Sequence, residues 1–214
     1  MNLYSYFRSS AAYRVRIALN LKGLTYRTLP VHLLRDGGEQ HRPAYRAVNP
    51  AGLVPALEDR GHTLTQSLAI LEYLEEQYPQ TPLLPQGSAD RARVRAIAQS
   101  IACEIHPLNN LRVLQYLSGT LGLGEEQKNA WYRHWVGEGL GAVERLLADD
   151  RRTGAFCHGD RPTLADCCLV PQVFNARRFG CELDAMPTIL AIVARCQSLE
   201  AFQRAAPEHQ PDAD

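Results

Sequence analysis

No stretch of the 214 residues approaches the roughly 18 consecutive apolar positions that a membrane-crossing helix needs, so no membrane span is expected. Residues 1–8 offer no charged segment followed by an apolar one, and a secretory signal is not read there. Neither charge sign dominates. Lys plus Arg and Asp plus Glu both number 23, which argues against general nucleic-acid binding while leaving room for a local basic pocket for a small anion. The six cysteines (Cys103, Cys157, Cys167, Cys168, Cys181 and Cys196) include no C-x-x-C pair and mostly sit in apolar helical surroundings. They read as reduced, buried thiols of a cytoplasmic protein, and no metal site is expected. There is no internal repeat and no low-complexity tract.

The first eighty residues alternate between strand and helix signals. Leu3 to Tyr6 reads as a strand. Residues 11–22 carry apolar positions at helical spacing and stop at Gly23, and Thr25 to Val31 alternates again. The polar, broken stretch from Asp36 to Gly52 predicts loop with one short helix. Two strand runs, from Val54 to Glu58 and from His62 to Thr65, flank Asp59-Arg60-Gly61 and predict a hairpin. Ser67 is placed to cap the next helix, which ends at Tyr78-Pro79. The order β-α-β-(α)-β-β-α is that of a small α/β layer.

Residues 79–90, rich in proline, read as a linker, and beyond them no strand signal persists. A long helical pattern runs from Ala89 to Leu117 with a bend expected near Pro107. A second helix spans 125–148. Thr163-Leu164-Ala165-Asp166 has the form of a capping box, and Met186-Pro187 opens a further helix. The tail from Ala206 is expected to fray.

Three clusters can carry chemistry. Arg8-Ser9-Ser10 lies between a strand and a helix, where free N–H groups and the helix dipole favour an anion and a hydroxyl can lower a thiol pKa. The same serines are equally good as plain caps. Val54-Pro55 followed by Gln66-Ser67 offers a strand edge for an extended peptide and a second helix start, or simply ordinary turn chemistry. His106, Asn110 and Arg112, with Arg177-Arg178 later, could grip an acidic substrate or serve as helix packing and a solvated helix end.

Tyr4-Ser5-Tyr6-Phe7-Arg8-Ser9-Ser10, then Arg14-Val15-Arg16-Ile17-Ala18-Leu19, resembles the zeta class of the glutathione transferases. So do Asn49-Pro50 with Val54-Pro55, Gln66-Ser67-Leu68-Ala69-Ile70 and Ile105-His106-Pro107-Leu108-Asn109-Asn110, and the match covers nearly the whole chain. The class commonly has a cysteine where this chain has Ala11, which removes a thiol but leaves the hydroxyls.

The resemblance implies an α+β two-domain fold: a thioredoxin-like glutathione-binding domain over 1–81, a linker at about 82–87 and an all-helical domain over 88–214. It implies glutathione as cofactor, a small acidic substrate and a homodimer. Ser9, with Ser10 beside it, would polarise the glutathione sulfur. Gln40 and Val54, with Pro55 cis, would hold the peptide, and Gln66 and Ser67 the γ-glutamyl end. His106, Asn110 and Arg112 would border the glutathione and substrate, and Arg8 and Arg178 would hold substrate carboxylates. The implied activity is cis–trans isomerisation of maleylacetoacetate, by reversible addition of the thiolate to an electron-poor C=C bond. Two alternatives are isomerisation of maleylpyruvate and a non-catalytic interaction module of the same fold.

Overall fold

The structure is a computed structural model that describes residues 1–213. It divides into two compact units, one formed by Met1–Leu83 with the chain from Gln197 onward, the other by Leu84–Cys196.

The first unit is built on a four-stranded sheet. Its strands are β1 (Asn2–Ser5), β2 (Arg27–Pro30), β3 (Ala56–Asp59) and β4 (His62–Thr65), in the spatial order β2-β1-β3-β4. β1 pairs parallel with β2, and β3 pairs antiparallel with both β1 and β4. Leu3 and Leu57 face each other in register at the centre, both fully buried. The β3–β4 hairpin turns on Arg60 (φ 48°) and Gly61 (φ 80°), the paired left-handed residues of a type I′ turn, whose twist matches that of the strands.

The parallel β1–β2 pair requires a crossover, which is α1 (Ser10–Leu21). Every residue from Ala12 to Leu19 is buried, including Arg14 and Arg16. Arg16 is accommodated because its guanidinium donates to Ser5 Oγ, Phe7 O and Ala205 O within 3.0 Å. Burial pulls its pKa down to about 10, so it is still charged at neutral pH. The expected short helix is α2 (Pro43–Val48), entered through a proline at its first position, and α3 (Ser67–Gln77) closes the layer.

The second unit is helical: α4 (Ser88–Gln99), α5 (Leu111–Gly119), α6 (Glu125–Ala148), α7 (Leu164–Arg178) and α8 (Pro187–Gln197). The long helix expected over 89–117 is two helices. Between them α4 widens into a π-type turn (Ser100–Ile105) and then a 3₁₀ turn (His106–Asn109), where Pro107 lacks the N–H that would continue the α pattern. α6 passes close to this break at Gly139, where a Cβ would overlap the Ile105 side chain. The start of α7 is held as expected. The fully buried Asp166 reaches back to accept from the Thr163 N–H at 2.7 Å, and also accepts from the Thr163 hydroxyl and the Cys157 N–H.

The C-terminal segment differs from the sequence reading in two ways. The chain after α8 leaves the helical unit and returns to the first one, where α9 (Glu200–Ala205) packs on α1. The tail from Ala206 is tied down rather than frayed. A 3₁₀ turn spans Pro207–His209, Gln210 donates to Arg204 O and Ala206 O at 2.9 Å, and Asp212 accepts from the Phe7 N–H at 3.0 Å. The Gln210 bonds are local, whereas the Phe7 amide that Asp212 accepts from lies 205 residues away, out of reach of any local sequence pattern.

Candidate functional site

The sheet topology gathers the site of the first unit. Ser5 ends β1, Pro30 ends β2 beside it, Ala56 opens β3 opposite Tyr4, and Thr65 ends β4 opposite Ala56. The turn carrying Arg8, Ser9 and Ser10, the loop carrying Gln40, the Val54-Pro55 segment and Gln66-Ser67 therefore all leave the sheet at one end. The two helix N-termini, of α1 and α3, open there as well.

Ser9 is the N-cap of α1, with its Oγ accepting from the Ala12 N–H at 3.2 Å. Capping uses the oxygen as acceptor and leaves the hydroxyl proton available to a second partner. Ser9 is half-buried, whereas Ser10 is only 3% exposed, so the Ser9 hydroxyl is the more accessible of the two. Arg8 is also half-buried, with its guanidinium carbon 4.6 Å from the centre of the Phe7 ring.

The Val54–Pro55 peptide bond is cis. Val54 precedes β3, so the expected strand begins two residues late, and neither the N–H nor the C=O of Val54 takes part in a hydrogen bond among the described residues. This is an open edge that an extended peptide can pair with. Val54 packs in a small apolar cluster with Tyr6, Phe7, Val31 and Tyr45, which joins it to the turn that carries Ser9. Gln40 is buried, and its Nε2 donates to Leu33 O at 3.2 Å.

The cap of α3 is Gln66 and not, as the sequence suggests, Ser67, which is the first helical residue. Gln66 sits at φ 67°, ψ 115°, a backbone conformation that costs a non-glycine residue on the order of 1–3 kcal/mol and persists only where the surroundings enforce it. Ser67 is buried, and its Oγ accepts from Arg14 Nη1 at 3.2 Å, which again leaves a hydroxyl proton to donate. Arg14 is a residue that sequence reasoning missed. It is 2% exposed and places a cation behind the N-terminus of α3. Its signal was a charged side chain within the apolar stretch of α1, a pattern that favours a paired or site-directed role over a solvated one.

In the helical unit, His106, Asn110 and Arg112 share the turn that opens α5. Asn110 caps that helix, its Oδ1 accepting from the Arg112 N–H at 3.2 Å while its Nδ2 lies 3.4 Å from His106 Nε2. Arg178 is the last residue of α7 and is exposed. Its Nη1 donates to Asn175 Oδ1 at 2.8 Å, and its guanidinium carbon lies 5.5 Å from the centre of the Phe179 ring, which stacks on the buried Tyr132.

The sequence and the fold are similar to known proteins over the whole chain. The model of the glutathione S-transferase N-terminal domain matches residues 3–82, and that of the C-terminal domain matches 129–191. Maleylacetoacetate isomerase of Pseudomonas aeruginosa is 53% identical over 213 residues, covering 99% of this chain and 98% of that protein. A solved holo structure of a maleylpyruvate isomerase, described as a bacterial zeta-class glutathione S-transferase, superimposes with a TM-score of 0.97 at 50% identity over all of both chains. The chain belongs to the zeta class of the glutathione S-transferase family. A maleylacetoacetate isomerase from Methylobacterium extorquens AM1, solved with malonate and glutathione bound, is 43% identical with a TM-score of 0.96 and full coverage of both chains. For a zeta-class transferase the first unit is the thioredoxin-like domain and the second the all-helical one. Among the described residues, no helix is long and apolar enough to cross a membrane.

Proposed function

We propose that this chain is a glutathione-dependent isomerase that converts maleylacetoacetate to its trans isomer. The observation that carries this reading is the placement of Ser9, a half-buried hydroxyl at a helix N-terminus whose cap bond leaves its proton free.

The residues present fit glutathione. The backbone of Val54 offers an unused N–H and C=O for the cysteinyl peptide. The Ser67 hydroxyl and the first-turn amides of α3, backed by buried Arg14, suit the γ-glutamyl carboxylate. Gln66 stands beside them, held at its positive φ. The buried Oε1 of Gln40, without a partner among the described residues, suits a donor N–H. When bound, glutathione supplies a thiolate that adds reversibly to an electron-poor C=C bond and so allows it to rotate. Ser9 stabilises the thiolate by donating its hydroxyl proton, and the α1 N-terminus adds its dipole, while Ser10 supports the turn. Arg8 and Arg178 take the substrate carboxylates as planar, fork-shaped donors. His106, Asn110 and Arg112 are assigned to the same ligands, with Asn110 also serving as the α5 cap.

Six cysteines without a disulfide support placing the enzyme in the cytoplasm. The family relation supports a two-fold homodimer, and sedimentation near twice 23.9 kDa is the expected result.

Maleylpyruvate is the second reading, favoured by the TM-score of 0.97 to an isomerase of that name. Steady-state kinetics on both maleyl substrates, with and without glutathione, test the assignment. A higher kcat/KM on maleylacetoacetate with strict glutathione dependence is expected. A higher value on maleylpyruvate selects the second reading. Retention on immobilised glutathione without turnover of either substrate would leave a binding module.

A further inference from the structure

The turn that carries Ser9 is clamped from the far end of the chain. Both backbone polar groups of Phe7 are taken. Its C=O accepts from the buried Arg16 Nη2 at 3.0 Å, and its N–H donates to Asp212 Oδ2 at 3.0 Å. Arg16 also donates to Tyr6 O at 3.4 Å and, through Nε, to Ala205 O at 2.9 Å. One guanidinium thus joins the turn to the last residue of α9, and the tail that follows supplies Asp212. The tail is itself rigidly built. Gln210 is bonded to Arg204 O and Ala206 O, and the Ala213 N–H donates back to Gln210 O. Ala213 then packs on the Tyr6–Phe7–Val31–Tyr45–Val54 cluster, which supports the Ser9 turn and the Val54 edge together.

This arrangement has a consequence for the chemistry. Two residues after Phe7, the Ser9 N–H donates to Tyr6 O at 2.9 Å, so the turn is a short hydrogen-bonded loop whose geometry follows from how its Phe7 peptide is held. An unheld Phe7 N–H would be free to seek water, and the Ser9 hydroxyl would move with the turn. Asp212 lies 205 residues away in sequence and is only half-buried. An aspartate in a polar C-terminal tail is ordinarily a solvated charge. Here it spends one oxygen on a backbone amide next to the proposed reacting group.

We propose that Asp212 is a positioning residue for the thiol-activating hydroxyl, and that the C-terminal tail is a strap that sets the Ser9 turn. The inference rests on Ser9 being that hydroxyl. The clamp needs an acceptor rather than a charge, so Asp212→Asn preserves it and Asp212→Ala removes it.

The test follows the thiolate absorbance of glutathione on the enzyme across pH, together with kcat, KM and amide exchange at Phe7. Asp212→Ala is expected to move thiolate formation to higher pH and to lower kcat by about three- to thirtyfold, on the scale of small misplacements of a reacting group, with KM for the diacid little changed. Exchange at Phe7 should accelerate, and Asp212→Asn should restore all three readouts to near wild type. Unchanged thiolate formation and kcat in Asp212→Ala overturn the inference even if Phe7 exchanges faster, because the clamp would then be structural only. Equal impairment of the Asn and Ala variants overturns it too, since a charge and not a hydrogen bond would be responsible. A wild-type enzyme with no glutathione thiolate signal, or one that Ser9→Ala leaves intact, defeats the Ser9 reading itself and the inference with it.

Discussion

Arg14 on α1 donates to the hydroxyl of Ser67 at the start of α3 across 3.2 Å, and both residues are buried. The bond fixes which way the Ser67 oxygen faces and brings a positive charge behind a helix N-terminus. Arg14→Met keeps most of the volume and removes both effects. A hydrogen bond to a charged group is worth about 1.5–3 kcal/mol, so the dissociation constant for glutathione should rise by roughly ten- to a hundredfold. Isothermal titration gives the answer, and a constant within twofold of wild type would show that Arg14 serves packing alone.

The two serines of the first turn separate by their exposure. Ser9→Ala should lower kcat/KM by about ten- to a thousandfold, the range for loss of one oxyanion-type donor. It should also cost about 1 kcal/mol of stability through the lost cap. Ser10→Ala should cost much less activity, because Ser10 is buried in the first turn of the helix. Parallel kinetics on the two variants check this, and the reverse ranking would move the thiol-activating role to Ser10.

Arg178 is held by Asn175 and the Phe179 ring, all within the helical unit. Arg178→Ala should raise KM for the maleyl substrate while glutathione affinity stays near wild type. Kinetics on the diacid beside titration with glutathione measure the split. Weaker glutathione binding with an unchanged diacid KM would transfer the carboxylate role to Arg112 or Arg177.

Lys22 makes a buried ion pair with Glu75 at 2.8 Å and donates as well to Tyr78 O and Thr81 O, pinning the chain that leaves α3. Glu75 Oε2 also accepts from the Leu83 N–H. Lys22→Met removes the cation paired with the Glu75 carboxylate and should destabilise the protein by up to about 3–5 kcal/mol, the usual cost of removing one partner of a buried pair. Adding Glu75→Leu should recover a large part of that loss. Urea midpoints for the single and double variants test both statements. A double variant no more stable than Lys22→Met would show that the carboxylate is needed for the Leu83 amide and not only for the lysine.

Local patterns made much of this protein legible. Gly23 and Pro79 mark helix ends, Asp59-Arg60-Gly61 marks a hairpin, and Thr163 with Asp166 marks a helix start, because each depends on backbone conformations that only a few residue types favour. The motifs around Ser9, Val54-Pro55 and Gln66-Ser67 are local features too, but by themselves they read equally as caps and turns, and only the family resemblance gives them a ligand. What the sequence could not decide is set by partners far away along the chain. The polar tail gave no local sign of order, yet Asp212 caps the Phe7 amide, and α9 returns to lie on α1. Ser67 looked like a cap until the positive φ of Gln66 took that place and Arg14 took its oxygen. Arg14 and Arg16 carry charges that water would normally solvate, and only tertiary structure brings the hydroxyl and carbonyl oxygens that allow both to be buried within one helix. Short-range sequence specifies which groups can act. Long-range packing specifies which of them are held still and which remain free to meet a ligand.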